Sequence, residues 1–252
     1  MFRMPPESAY EFPGPENLHS DIYPAIDPTN ENADLKQPGK VVLITGAGRG
    51  IGRAVAIQYA HAGVSSIVLC ARTSSQLDEV EAEIKKISED LKVLKIPLDV
   101  TSEDAVQKCA KTVERETGRL DVLVNNAGYT TPWVLLADSK ADDWWKTFEV
   151  NMKGPFLFLH AFLPLLVKTA KSEMTVVDVV NMTTIGGHMV LPTSSAYSIS
   201  KCALDRLTEF VVAEYGASGV NAVTLHPGGV VTDLSRNLEI LNGRKLFHFL
   251  FT

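Results

Sequence analysis

Cysteine is scarce in this chain: three residues among 252, Cys70, Cys109 and Cys202, with no CxxC pair. An odd, widely spaced set excludes a disulfide framework and a cysteine-based zinc site, and it suits a reducing cytoplasm. Runs of one charge are lacking too. With 24 basic residues against 30 acidic ones and a net charge of −6, no basic stretch is present to neutralise phosphates, which argues against a nucleic-acid partner. No apolar run reaches the roughly 20 residues that span a bilayer; the longest, 155–167, contains His160 and Pro164. No membrane segment is expected, and the N-terminus lacks the basic start and apolar core of a secretory signal. Neither an internal repeat nor a second domain is visible.

What is there divides into three stretches. Residues 1–39 carry Pro5, Pro6, Pro13, Pro15, Pro24, Pro28 and Pro38 in a polar setting without apolar periodicity, and read as a flexible leader. From Lys40 to Asp233 strand and helix alternate. The continuous apolar run at 41–44 has the pattern of a strand buried on both faces of a parallel sheet, and 67–70, 93–97, 122–124, 176–181 and 220–225 read as further strands. Helical segments follow them at 53–62, through Leu77, Val80, Ile84 and Ile87, at 105–117, at 142–167 with a bend at Gly154-Pro155, and at 196–215. Six such units predict an α/β, doubly wound, single-domain fold with a mostly parallel sheet of about six strands. Residues 234–252 are expected to be a short, incomplete lid.

The motifs fall at the ends of these strands. Thr45-Gly-Ala-Gly-Arg-Gly-Ile-Gly52 stands between the first strand and helix, where the backbone must turn tightly and let a pyrophosphate approach the helix N-terminus. Its spacing is GxxxGxG, not the GxGxxG of larger dehydrogenases. The second strand ends in Cys70-Ala71-Arg72 without the carboxylate that usually hydrogen-bonds the ribose 2′-hydroxyl of NAD. Arg72, with Arg49 in the glycine loop, can instead pair a 2′-phosphate, so NADP(H) is favoured over NAD(H). Tyr197-Ser-Ile-Ser-Lys201 places a phenol and an ammonium one helical turn apart on one face. A free phenol, with a pKa of about 10, is a poor proton donor until a nearby positive charge favours its ionised form.

In their order TGAGRGIG, Leu98-Asp99-Val100, Asn125-Asn-Ala-Gly128, Asn151, the Tyr197/Lys201 pair and Pro227-Gly-Gly-Val-Val-Thr232, these motifs resemble the short-chain dehydrogenase/reductase family over roughly Lys40 to Asp233. The resemblance implies that Gly46, Gly50, Ile51 and Gly52 hold the diphosphate. It places Asp99 and Val100 at the adenine, Asn126 along the cofactor, and Val230 and Thr232 at the nicotinamide carboxamide. It implies Tyr197 as proton donor in carbonyl reduction, Lys201 lowering its pKa, and Asn151 supporting a water relay to Lys201. The family's serine, thirteen residues before the tyrosine, is here Thr184, whose hydroxyl makes the same hydrogen bond while its methyl narrows the pocket.

The expected activity is therefore hydride transfer between NADP(H) and a small-molecule carbonyl or alcohol, as a ketone reductase of secondary metabolism. The alternative is a cofactor-binding, catalytically weak module, made so by the short C-terminal segment, which also leaves homo-oligomerisation open. His188 and His226 find no carboxylate or metal partner at ligand spacing and are read as structural or pocket-lining, and no metal site is expected.

Overall fold

The computed structural model describes residues 22–236. Residues 22–35 form one unit of successive turns. Asp27 organises it, its Oδ1 accepting hydrogen bonds from the Thr29 amide at 2.8 Å and hydroxyl at 2.6 Å. The Asn30 side chain donates to the Pro24 carbonyl at 2.7 Å.

The second unit begins at Lys36. Its elements are β1 (Val41–Thr45), α1 (Gly50–His61), β2 (Ser66–Ala71), α2 (Ser74–Ile87), β3 (Lys92–Pro97), α3 (Glu103–Thr117), β4 (Val122–Asn125), α4 (Ala141–Phe148), α5 (Gly154–Glu173), β5 (Val177–Met182), α6 (Ser195–Tyr215), β6 (Val220–Leu225) and the short α7 (Asp233–Arg236). The six strands form one sheet in the order β3-β2-β1-β4-β5-β6. Every pairing is parallel. The order reverses between β1 and β4, so the crossovers there leave to opposite faces and open a crevice beyond the strands' carboxyl ends.

The apolar runs explain the two layers. In β1, Val41 and Leu43 join a core with Val106, Cys109 and Val113 of α3, Phe158 and Phe162 of α5 and Val211 of α6. Val42 and Ile44 point the other way, toward Ala56 and Ala60 of α1 and Leu77, Val80 and Ile84 of α2. Successive residues of a strand face opposite sides, so only an unbroken apolar run supplies both layers, each buried Val, Leu or Ile contributing about 1.5–3 kcal/mol. Local signals set the helix ends. Ser102 caps α3 by accepting from the Ala105 amide, Glu103 and Asp104 complement its N-terminus, and Gly118, at φ +69°, ends it.

The structure differs from the sequence reading in two helices. Helix α1 starts at Gly50 rather than 53, which brings its N-terminus into the glycine loop. The helix read as 142–167 with a bend at Gly154-Pro155 runs instead from 141 to 173, and its irregularity is a π turn, Glu149–Lys153, between α4 and α5. Pro155 follows this π turn, in the first positions of α5. By length and composition this continuous helix could cross a membrane, but more than half of its most apolar window is buried inside the protein, with Phe158, Phe162 and Leu166 fully enclosed. Cys70 and Cys109, far apart in sequence, meet in the core with their Sγ atoms 3.8 Å apart as free thiols. The hydrogen bond between them, together with burial, pushes the Cys70 thiol pKa up. Beyond the α7 turn, the segment read as a lid lies outside the described residues.

Candidate active site

The crevice at the reversal point is built first from backbone. The β1–α1 turn holds Gly46 at φ +65° and Gly50 at φ +55°, a region that side chains disfavour. Gly52 has the tighter constraint: a Cβ there would stand 2.3 Å from the Gly46 carbonyl oxygen and 2.6 Å from Asn126 Nδ2. The loop is tied down on both sides. The Ala47 amide donates to the Cys70 carbonyl at 3.1 Å. The Thr45 hydroxyl accepts from the amides of Asn126 (2.9 Å) and Ala127 (3.0 Å), and Asn126 Nδ2 donates to the Thr45 carbonyl at 2.9 Å. Thr45 is thus the fastener between glycine loop and NNAG turn, a role sequence spacing did not reveal because its partners lie about eighty residues away. At the entrance of α1 no side chain caps the helix, leaving its first N–H groups for an anion.

A cleft of about 280 Å³ continues from this loop, lined among others by Gly46, Arg49, Arg72, Asp99, Val100 and Tyr129. Asp99 lies between burial, which raises its pKa, and the Thr101 amide and hydroxyl with Arg72 and Lys146 nearby; the latter prevail and its carboxyl is held below the usual range. Arg72 is exposed at the rim. Arg49 also lines the cleft, but its guanidinium pairs with Asp233 at 2.8 Å. Both partners are more than half exposed, so that contact contributes little stability and exchanges readily. Thr232 reaches the same loop, its Cγ2 lying 3.4 Å from where a Gly50 Cβ would stand. Ile51 is half-buried on the first turn of α1, and Val230 is exposed. Gln76, Thr73 and Lys146 also line the cleft and were not singled out by the sequence; only the fold brings α2 and α4 to this edge. Glycine cradle, uncapped helix end and mixed-charge cleft together fit a dinucleotide.

The side-chain chemistry lies at the ends of β4 and β5 and the start of α6. Lys201 is buried on α6, its Nζ 5.9 Å from the centroid of the Tyr197 ring and donating to the Met182 carbonyl at 2.6 Å. Burial drives its pKa down to about 8, against the pull of Asp205. Burial likewise pushes the Tyr197 phenol up to about 12, so the free protein keeps this proton firmly in place. Thr184 starts the short turn after β5 and accepts from the Gly186 amide at 3.2 Å, which leaves the hydroxyl hydrogen to donate. Asn151 lies in the π turn, a feature that recurs at functional sites. Fully buried, it accepts from the Tyr129 amide at 2.8 Å and donates to the Tyr129 carbonyl at 2.9 Å and Ser200 Oγ at 3.0 Å. Ser200 in turn donates to the Tyr197 carbonyl at 2.7 Å. The side chain of Asn151 therefore fastens the NNAG loop to the helix that carries Tyr197.

Two further groups escaped the sequence reading. A buried polar rung runs from Asn125 Nδ2 to Asn181 Oδ1 (2.8 Å) and from Asn181 Nδ2 to Thr208 Oγ1 (2.8 Å), joining β4, β5 and α6. Trp133 stands beside Tyr197 with ring centroids 6.5 Å apart, its indole N–H donating to Thr130 Oγ1. One reading is corrected: His188 does have a carboxylate partner, its Nε2 lying 3.2 Å from Asp205 Oδ2, because the turn after β5 folds back onto α6. His226 is exposed at the end of β6.

Cradle, cleft and the grouping of Tyr197, Lys201, Thr184 and Asn151 on a doubly wound sheet define a dinucleotide-binding oxidoreductase architecture. The chain belongs to the short-chain dehydrogenase family, whose model, described as short chain dehydrogenase, matches residues 40–240. It is 44% identical over 225 residues to the short chain dehydrogenase citE of Monascus ruber, covering 87% of this chain and 73% of that one. Among solved structures, the NADP active-site complex of RhlG from Pseudomonas aeruginosa is similar with a TM-score of 0.74 and 27% identity, covering 80% of this chain and 77% of that one. An NAD⁺-bound xylitol dehydrogenase is similar with a TM-score of 0.70 and 30% identity, covering 75% and 70%.

Proposed function

We infer that this oxidoreductase is an NADPH-dependent reductase of uncharged, apolar carbonyl compounds. The observation that carries the reading is the Tyr197/Lys201 pair on α6, with the buried Lys201 ammonium 5.9 Å from the centroid of the half-buried Tyr197 ring, on a sheet whose first turn is a glycine cradle. When bound, the nicotinamide cofactor supplies the hydride. Gly46, Gly50 and Gly52 with the N-terminus of α1 would hold its diphosphate, Asp99 and Val100 its adenine, and Val230 and Thr232 its carboxamide. Tyr197 holds a proton at Oη and gives it to the carbonyl oxygen. Thr184 donates a hydrogen bond to the same oxygen and orients it. Lys201, buried beneath the ring, supplies the positive charge that favours the departing proton. Asn151 keeps the Tyr129 backbone and Ser200 in register, and supports proton return to Lys201.

The preference for NADPH rests on charge at the end of β2. Ala71-Arg72 offers a 2′-phosphate a guanidinium at the cleft rim, with no carboxylate closing the strand, and Arg49 can leave Asp233 for the same phosphate. The substrate class rests on the loops that leave β4, β5 and β6. Residues 126–137 carry no charge, 183–194 only His188 and 226–232 only His226. Leu135, Leu136, Val190, Val230 and Val231 are exposed there. Such a mouth attracts an apolar ketone or aldehyde and offers nothing to a phosphorylated one.

The test is NADPH oxidation with 9,10-phenanthrenequinone and a panel of neutral and charged ketones, beside NADPH binding followed by fluorescence. Turnover of the neutral compounds is expected; binding without any turnover would sink the enzyme reading in favour of a cofactor-binding module. For the cofactor, Arg72→Ala should weaken NADPH binding by about 1.5 kcal/mol, the size of a charge-assisted hydrogen bond, and leave NADH affinity unchanged. Equal losses for both cofactors would show Arg72 to be structural.

A further inference from the structure

Tyr197, Lys201 and Asp205 follow one another at intervals of four residues on α6, so they share one face, and the proposed chemistry uses only the first two. The third is anomalous. The Asp205 side chain is nine-tenths buried, and neither of its oxygens has a hydrogen bond of good geometry. A buried carboxylate so poorly satisfied does not stabilise a fold by itself.

Its surroundings give it another use. The segment after β5 wraps this face of α6. At its start, the Met182 carbonyl accepts from Lys201 Nζ at 2.6 Å. In its middle, Thr184 closes a turn, with the Gly187 amide donating to its carbonyl at 2.9 Å and the Gly186 amide to its hydroxyl at 3.2 Å. At its far end, Gly187 lies so close to α6 that a Cβ would stand 3.0 Å from Asp205 Oδ2 and 3.2 Å from the Cys202 amide nitrogen. His188 Nε2 is 3.2 Å from the same Asp205 oxygen. Lys201 is hydrogen-bonded to the start of the segment that carries Thr184, and Asp205 lies against its far end.

We propose that Asp205 is a positioning residue: through His188, and with Gly187 packed closely against it, it sets the far end of the Thr184 turn on α6, and one helical turn from Lys201 it is the negative neighbour of the ammonium beneath Tyr197. The proposal rests on the reading of Tyr197, Lys201 and Thr184 given above. The groups that act on Asp205 are Lys201 and Glu209 of α6, His188 of the wrapped segment and the Thr183 hydroxyl. Burial raises its pKa, Thr183, His188 and Lys201 lower it, and Glu209 raises it. Asp205 in turn opposes the loss of the Lys201 proton that burial favours.

The test has two arms. In the free protein carrying ¹³Cε-lysine, with the Lys201 resonance assigned by its disappearance in Lys201→Met, the Lys201 titration midpoint should fall by at least about 0.5 pH unit in Asp205→Asn, as expected on removing a nearby opposite charge. With NADPH and 9,10-phenanthrenequinone, Asp205→Asn should lower kcat at least about tenfold, the size of a misplacement of reacting groups, while the NADPH Kd stays within twofold. Gly187→Ala shifts the turn without removing charge. It should lower kcat severalfold and leave the Lys201 midpoint in place, and His188→Gln should act in the same direction, so the anchor is measured even if Asp205→Asn does not fold. An unmoved Lys201 midpoint in Asp205→Asn overturns the electrostatic half, and unchanged kcat in Gly187→Ala and His188→Gln overturns the anchoring half. If the wild-type protein consumes no NADPH with the probe, it is the proposed function that fails, and the lysine titration still decides whether Asp205 governs Lys201.

Discussion

The two halves of the site are made of different materials. The half formed by β1, α1 and the ends of β2 and β3 is backbone geometry rimmed by exposed charge: glycines at positive φ, an uncapped helix N-terminus, and Arg72 and Arg49 at the surface. The half formed by the ends of β4 and β5 and the face of α6 is held by chains of polar groups, from the Tyr129 backbone through the side chains of Asn151 and Ser200 to the Tyr197 carbonyl, and from Asn125 through Asn181 to Thr208. In the first half the fold should depend on the glycines far more than on the exposed charges. The second tolerates neither a lost partner nor an added charge, because a buried polar group without its partner costs about 1–3 kcal/mol.

This contrast is open to attack from the largest expected effect downward. Gly52→Val puts side-chain carbons where even a Cβ would meet the Gly46 carbonyl at 2.3 Å, so the β1–α1 turn must move. A loss of stability of at least about 3 kcal/mol is expected, with NADPH binding abolished, read by denaturant melts and fluorescence titration. A well-folded variant that binds NADPH normally would show that the cradle is not rigid.

Next comes Lys201. Its folded pKa of about 8 lies below the ordinary 10.5, so between those values the unfolded chain holds a proton that the folded chain has released. Stability of the free protein should therefore rise with pH across that window relative to Lys201→Met, the full gap being worth on the order of 3 kcal/mol. Urea melts of both proteins at several pH values check this; parallel stability curves would mean that the ammonium is not desolvated.

Asn151→Ala is expected to have the smallest effect of the three. It orphans the Tyr129 amide and carbonyl and one side of Ser200, for a loss of about 1–3 kcal/mol, with a larger proportional fall in turnover than in NADPH affinity. Equal falls in both would place Asn151 in the cofactor half rather than the chemical one.

The same contrast decides what was legible in the sequence. Backbone requirements leave glycines, and unbroken apolar runs leave strands, so the doubly wound sheet, the β1–α1 turn and the crevice could be read from spacing alone. The Tyr197/Lys201 pair was legible because both residues lie on one helix. Networks closed by the fold were not. Thr45 meets Asn126, Asn125 meets Asn181, and His188 meets Asp205 across loops whose course no local pattern records. The π turn was hidden for a related reason: Gly154-Pro155 marks a plausible bend, whereas the extra backbone residue that turns Asn151 inward leaves no composition of its own. Arg49 illustrates a third kind of limit, since its charge was visible but its pairing with Asp233, on the far side of the chain, was not.

The central claim is that Tyr197 gives up the proton that completes carbonyl reduction on a cofactor held by the other half of the site. Its most direct test is Tyr197→Phe, which keeps the ring beside Trp133 and deletes only the hydroxyl. The account predicts an NADPH Kd within about twofold of wild type and a rate of NADPH oxidation with 9,10-phenanthrenequinone lower by about 10²- to 10⁴-fold, the range of a general acid's contribution. A variant that retains half the wild-type rate would contradict it.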